Sequence, residues 1–190
     1  MRLCVLIVCA ALLVAGCAES IPNGVRTIDK ADFVLSDAAL PPPAAAPWKP
    51  VTLPDNWHRS HPGVTATGWY RMSLRVDELG EGPALHVYLP RNSARRLQFF
   101  VNGRPGATND PWGDPAARNW QGPMGFPVPA PALRVGENIL HVRVQASADI
   151  RQGLTRIYVS DFRSGATMAM MRARNELQGT TFIMLGAASL

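Results

Sequence analysis

Lysine is scarce in this chain, and its scarcity limits the partners that the chain can have. Lys30 and Lys49 are the only lysines, so the formal net charge of +5 is carried almost entirely by arginine. The arginines are scattered, and Arg95 and Arg96 form the only adjacent pair. Scattered arginines are typical of a solvated surface, so we expect no nucleic-acid partner. Weak attraction for acidic ligands or anionic lipid head groups fits the charge better.

Cysteine is also scarce, and all three cysteines lie within the first 17 residues. This start combines Met1 and Arg2 with a short apolar run over 3–14, as export signals do. The run ends in VAGC, which resembles the bacterial lipobox with Cys17 as the acylated residue. We therefore predict a signal peptide over 1–16, lipidation of Cys17 and a membrane-anchored location on the periplasmic side of a bacterial membrane. An ordinary signal peptide or an uncleaved anchor is the alternative.

Cleavage before Cys17 would leave no other cysteine, which excludes disulfides and cysteine-based zinc sites or nucleophiles from the folded part. Acidic residues number only 14, and no pair of them suggests the opposed carboxylates of a glycosidase. His58 and His61 share a loop but lack a third clear metal ligand. No serine-hydrolase elbow, phosphate-binding loop or kinase signature occurs. We expect a protein that is not an enzyme and that has no metal or cofactor.

Alternating apolar and polar residues predict that residues 48–162 form an all-β domain. Five segments have a period of two: 68–76, 85–89, 97–101, 139–144 and 156–159. The dipeptide Asn102-Gly103 directly follows one of them and predicts a tight hairpin turn with positive φ. No helical segment separates the strands, so we predict a two-sheet antiparallel β-sandwich.

The sequences on either side of this domain differ from it. Residues 17–47 contain a Pro- and Ala-rich stretch that predicts a lipid-anchored or flexible tether, with a short strand near 32–35. Residues 163–190 predict a linker helix followed by an uncharged apolar run of about half the length of a membrane span. This run indicates either a chain cut inside its first transmembrane helix or a C-terminal helix that packs on the domain.

Five motifs from residue 48 onward carry a resemblance to known proteins: VTLPDNW (51–57), GWYR (68–71), VNG (101–103), FPVP (126–129) and LRVGEN (133–138). Their order and spacing resemble the galactose-binding-like jelly roll of seven-transmembrane bacterial sensor proteins, whose intracellular modules include histidine kinases and diguanylate cyclases. The pattern is also similar to the sugar-binding jelly roll of glycoside hydrolase family two. The first resemblance implies an extracytoplasmic ligand-sensing module of a truncated signal-transduction protein. The alternatives are a stand-alone carbohydrate-binding lipoprotein and an accessory sugar-binding domain of a glycosidase.

The long loop at 109–121 is the candidate ligand site, because it combines aromatic rings with amide, carboxylate and guanidinium groups. Such groups suit a small molecule such as a carbohydrate or an amphiphile. We expect the loop to act with Arg71 and the 55–59 segment. The candidate ligand-binding residues are Trp112, Trp120, Asp114, Asn109, Arg71 and Trp57. The alternative is that the tryptophans of the loop cap the core.

Overall fold

The computed structural model of the chain describes residues 21, 23–79, 83–109, 112 and 122–161. The predicted signal peptide, the lipidation site Cys17 and the segment 163–190 lie outside the described residues, as do Asp114 and Trp120. In the described ranges, none of the helices has the length and apolar character needed to cross a bilayer.

The regular secondary structure of the described part is almost entirely β-strand. The strands are β1 (Arg26–Ile28), β2 (Lys30–Leu35), β3 (Lys49–Thr52), β4 (Asp55–Asn56), β5 (Thr65–Val76), β6 (Pro83–Leu89), β7 (Arg96–Val101), β8 (Arg104–Thr108), β9 (Met124–Pro129), β10 (Gly136–Ser147), β11 (Gly153–Leu154) and β12 (Ile157–Ser160). The helical elements are the single turn α1 (Trp57–Ser60) and a 3₁₀ turn, Ala130–Ala132.

Two sheets pack face to face, and a small ribbon closes one corner. One sheet has the order β1-β12-β6-β9 and the other has the order β3-β2-β5-β10-β7-β8, while β11 pairs with β4. Every strand pair is antiparallel. One hydrophobic cluster takes side chains from both sheets. The prediction of a two-sheet antiparallel β-sandwich is confirmed.

The core follows the period-two pattern of the sequence. On β5 the alternate residues Tyr70, Met72, Leu74 and Val76 all point into the hydrophobic core cluster. The other predicted strands contribute in the same way: Leu85, Val87, Leu89, Leu97, Phe99, Val101, Leu140, Val142, Val144, Ile157 and Val159. The assignment of core faces from alternation is therefore confirmed for all five segments.

The predicted hairpin joins β7 to β8. Asn102 and Gly103 have φ angles of +50° and +81°, as a two-residue hairpin turn requires. Asn102 also holds the neighbouring strand, because its Oδ1 accepts from the backbone N–H of Ile139 at 3.0 Å and its Nδ2 donates to Asn138 Oδ1 at 2.8 Å. The turn therefore fixes the register of β7 against β10.

The sandwich begins earlier in the chain than the predicted boundary at residue 48. Strand β1 pairs with β12 in one sheet, and β2 lies between β3 and β5 in the other. Phe33 of β2 is 4% exposed and packs against Trp57 and Tyr70, with ring centroids 5.6 and 4.8 Å away. Part of the predicted tether 17–47 thus belongs to the folded domain. The short strand predicted near 32–35 corresponds to β2, but its place inside a sheet was not predicted, because β1 and β2 are short and precede a Pro-rich stretch.

Candidate functional site

The outer face of the six-stranded sheet carries a row of charged and aromatic side chains. The strand register aligns Arg71 with Asp32 on one side and with His141 on the other, and His141 with Phe100. The neighbouring row aligns Trp69 with Arg143. We call this surface the arginine–tryptophan face and define it by Trp48, Trp69, Arg71, Phe100, Trp112, His141 and Arg143.

Arg71 is held in place from two sides. Its Nη2 forms an ion pair with Asp32 Oδ2 at 2.8 Å, and its guanidinium carbon lies 4.6 Å from the centroid of the Trp48 ring. Trp48 is itself anchored, because its Nε1 donates to the Pro43 carbonyl at 3.0 Å. The Arg71 side chain remains 25% exposed, so an arginine of fixed orientation is available to solvent.

Arg143 lies between two tryptophan rings. Its guanidinium carbon is 3.9 Å from the centroid of Trp112 and 5.8 Å from that of Trp69, and its Nη2 donates to the Asp37 carbonyl at 3.2 Å. Trp69 is fully buried, whereas Trp112 is only half-buried. Trp112 is therefore the more exposed of the two rings that flank Arg143.

His141 lies beneath Trp48 and beside Trp69, with ring centroids 5.9 and 6.4 Å away. Burial, with a smaller effect of the nearby Arg71 charge, lowers the pKa of His141 to about 4. The imidazole is therefore neutral near pH 7, and one of its ring nitrogens is a hydrogen-bond acceptor there. The face thus combines two cations with a neutral ring.

Several buried polar atoms of this layer lack a hydrogen-bond partner among the described residues. They are Trp69 Nε1, His141 Nδ1, Arg143 Nε, and Nε and Nη2 of the adjacent Arg96. Buried donors without partners are uncommon and costly. Trp112 and the chain before Trp48 cover this layer, so these atoms lie beneath the surface that a ligand could contact.

A groove of about 520 Å³ opens beside Arg71, across β3, β2 and β5. Its polar lining consists of Lys30, Asp32, Thr52, Arg71 and Ser73. These basic, acidic and hydroxyl groups can form hydrogen bonds with a polyhydroxylated ligand and so fix its orientation. The groove and the exposed edge of Arg71 together form the accessible part of the site.

The structure brings two of the predicted site residues together and separates two others from them. Arg71 and Trp112 both lie on the arginine–tryptophan face. Asn109 has a local role, because its Oδ1 accepts from the Leu97 backbone N–H at 2.7 Å, next to the hairpin of β7 and β8. Trp57 is fully buried, and its Nε1 donates to the Tyr70 hydroxyl at 2.8 Å, so its ring has no surface for a ligand.

Sequence reasoning missed Trp48, His141 and Arg143 as members of the site. Alternation correctly placed His141 and Arg143 opposite the core, which indicated ordinary solvated residues. Both are instead about 8% exposed or less, because residues 37–48 and Trp112 lie over them. A signal was present in the sequence: an aromatic residue is followed two positions later by arginine on both β5 (Trp69 and Arg71) and β10 (His141 and Arg143).

Comparison with known proteins gives a fold relationship. No protein-family model matches the chain, and no curated protein sequence matches it. Among solved structures, a family 2 glycosyl hydrolase from Bacteroides cellulosilyticus matches 72% of this chain with a TM-score of 0.55 and 19% identity. A β-glucuronidase from an uncultured Clostridium species matches 74% with a TM-score of 0.53 and 12% identity, and one from Ruminococcus gnavus matches 72% with 0.52 and 10%.

The chain shares its fold with one domain of these glycoside hydrolases. It covers only 20–30% of their length, so the matching region is a part of each enzyme. The resemblance to the jelly roll of glycoside hydrolase family two is thus confirmed for the fold. The resemblance to seven-transmembrane sensor proteins remains a prediction.

Proposed function

We propose that this chain is a non-catalytic carbohydrate-binding domain, and that its ligand lies on the arginine–tryptophan face. The observation that carries the proposal is the pair of stacks in which Trp48 and Trp112 cover Arg71 and Arg143. Fold similarity to a domain of glycoside hydrolases supports the carbohydrate-binding alternative better than the sensor role.

Recognition follows from the chemistry of the two kinds of side chain. A sugar ring has an apolar face of C–H groups that packs on an indole ring, and a rim of hydroxyl oxygens that accept hydrogen bonds. Trp112 and Trp48 provide the rings, while Arg71 provides donors whose direction is fixed by Asp32. The accessible guanidinium of Arg71 and the hydroxyl groups of the groove beside it favour a ligand with oxygen acceptors over a purely apolar one.

A ligand panel with matched variants tests this proposal. Binding of neutral and acidic oligosaccharides would be measured by calorimetry for the wild type, Trp112→Ala and Tyr158→Ala. Tyr158 is a half-buried aromatic residue of the other sheet and serves as the control. We expect Trp112→Ala to weaken the best ligand about 10- to 100-fold, because truncating an aromatic anchor costs about 1–3 kcal/mol.

Melting temperatures separate ligand binding from a structural role of Trp112. A Trp112→Ala variant that melts several degrees lower and binds as the wild type does would make this tryptophan a cap on the sheet. The proposal would also be abandoned if no saccharide in the panel bound the wild type.

We further propose that the chain is exported and anchored by lipid at Cys17. The apolar segment before it and the lipobox-like VAGC sequence support this. Cells fed a radioactive fatty acid should label the wild-type chain and leave Cys17→Ala unlabelled. Equal labelling of the two chains, or none in either, would contradict the assignment.

A further inference from the structure

A second concave surface lies away from the arginine–tryptophan face and shares no residue with it. This pocket has a volume of about 540 Å³. Its lining comes from β4, α1, the segment before β7, and β11 with its flanking residues, and it includes Asp55, Arg59, Arg91, Ser93, Arg151 and Gln152. We call it the three-arginine pocket.

The three arginines of the pocket outnumber its single described carboxylate. Arg59, Arg91 and Arg151 are all exposed, and none of them forms an ion pair with a described residue. They come from three separate segments of the chain, yet they line one cavity. Three guanidinium groups around one cavity produce a positive potential that attracts an anion.

The one carboxylate among the described lining residues is held by hydroxyl groups and keeps its negative charge, which offsets one of the three arginines. Asp55 is 7% exposed, and its two oxygens accept hydrogen bonds of 2.6 Å from the Ser60 and Tyr70 hydroxyl groups. Gln152 is 4% exposed, and its Oε1 accepts from the Ser147 backbone N–H at 2.8 Å.

Backbone hydrogen bonds hold the arginine-bearing segments together. The N–H of Trp57 donates to the Gln152 carbonyl at 2.8 Å, and the N–H of Gly153 donates to the Ser93 carbonyl at 3.0 Å. These bonds join the segments of Arg59 and Arg151 and place the Arg91 segment beside them. The backbone beneath the arginines is therefore fixed before any ligand arrives.

We propose that the three-arginine pocket binds the carboxylate or sulfate groups of an acidic polysaccharide. Guanidinium groups pair with both anions through two parallel hydrogen bonds, which explains the use of arginine here. The pocket is concave, whereas a membrane presents a flat array of head groups, so we favour a glycan as carrier of the anion. This choice of carrier rests on the proposed carbohydrate-binding function, while the anion site itself does not.

The test compares two triple variants of the full chain that lose the same charge. One is Arg59→Gln, Arg91→Gln and Arg151→Gln in the pocket. The control is Arg26→Gln, Arg75→Gln and Arg104→Gln, three exposed arginines outside the pocket. Calorimetry with polygalacturonate, dextran sulfate and neutral dextran would be run at low and high salt.

We expect the pocket variant to bind at least one acidic polymer about tenfold or more weakly than the wild type, with a flatter salt dependence. The control variant should bind much as the wild type does. Preference for polygalacturonate or for dextran sulfate identifies the carboxylate or the sulfate as the ligand group.

Three results would overturn the proposal. The first is an equal loss in the control variant, which would show general charge attraction. The second is no binding of either acidic polymer to the wild type. The third is pocket-dependent binding to vesicles that contain anionic phospholipid, with no binding to the polymers. Failure of the proposed function would give a different result from failure of the anion site. If no saccharide binds at the arginine–tryptophan face, Trp112→Ala will leave binding to every saccharide unchanged.

Discussion

Tyr70 and His141 lie on adjacent strands, on opposite faces of the same sheet, and they differ in how well their polar atoms are paired. The Tyr70 hydroxyl accepts from Trp57 and donates to Asp55 at 2.6 Å, and burial raises the pKa of Tyr70, which keeps this donor protonated. His141 has a buried Nδ1 without a partner among the described residues. The ligand is placed on the outer face because Arg71 is partly exposed there beside the groove, whereas the inner network is buried and complete.

The low pKa of His141 should make stability depend on pH. The folded state keeps this imidazole neutral down to about pH 4, whereas the unfolded chain takes up a proton near 6.5. The unfolded state therefore binds more protons in that window, and the free energy of unfolding falls as the pH is lowered from about 6.5 to 4. The contribution of His141 is up to about 3 kcal/mol.

Denaturant titrations of the wild type and His141→Gln at several pH values measure this effect. The fall in unfolding free energy should be smaller in His141→Gln. Part of it should remain, because burial also lowers the pKa of His86. An unchanged pH profile in His141→Gln would contradict the buried, neutral state of this ring.

Substitution of Gly153 tests the close contact between β11 and β4. It has a φ of +150°, and a Cβ atom there would lie 2.0 Å from the Asp55 backbone oxygen. We expect Gly153→Ala to cost roughly 3 kcal/mol or more of folding free energy. The control is Gly63→Ala, where φ is +74° but no atom lies within 4 Å of the new Cβ, so the cost should be about 1–2 kcal/mol. Equal costs for the two variants would show that β11 and β4 do not approach as described.

At the scale of strands, alternation in the sequence was sufficient to predict which side of each long strand faces the core. The core positions Tyr70, Leu97 and Val142 followed from period two alone. Burial of the opposite side could not be predicted in this way. It depends on Trp48 and the chain before it crossing the sheet, a tertiary contact that leaves no local pattern in β5 or β10.

The first two strands provide a direct test of where the domain begins. Chains that span 21–162 and 48–162 would be compared by thermal melting and near-ultraviolet circular dichroism. We expect the shorter chain to lose cooperative unfolding, because it lacks Phe33 in the core and exposes the edges of β5 and β12. A shorter chain that melts cooperatively within a few degrees of the longer one would restore the boundary at residue 48.

At the scale of the whole molecule, the sandwich presents two separate surfaces with different chemistry. The arginine–tryptophan face combines rings with partly covered arginines, whereas the three-arginine pocket has exposed charge and no aromatic lining. Neither surface contains a described pair of opposed, unengaged carboxylates, since Asp32 and Asp55 are both hydrogen-bonded.

The central claim is that the arginine–tryptophan face binds carbohydrate, and Arg71 tests it most directly. Arg71 and Arg75 lie four residues apart on the same strand and the same face, but Arg75 forms its ion pair with the exposed Asp77 and does not line the groove. The decisive measurement is the affinity of Arg71→Ala and Arg75→Ala for the best saccharide of the panel, with melting temperature as the check on folding. We expect Arg71→Ala to bind about tenfold or more weakly with little change in melting temperature, because a lost hydrogen bond to a charged group costs about 1.5–3 kcal/mol. Arg75→Ala should match the wild type, and equal affinities for the two variants would contradict a ligand on this face.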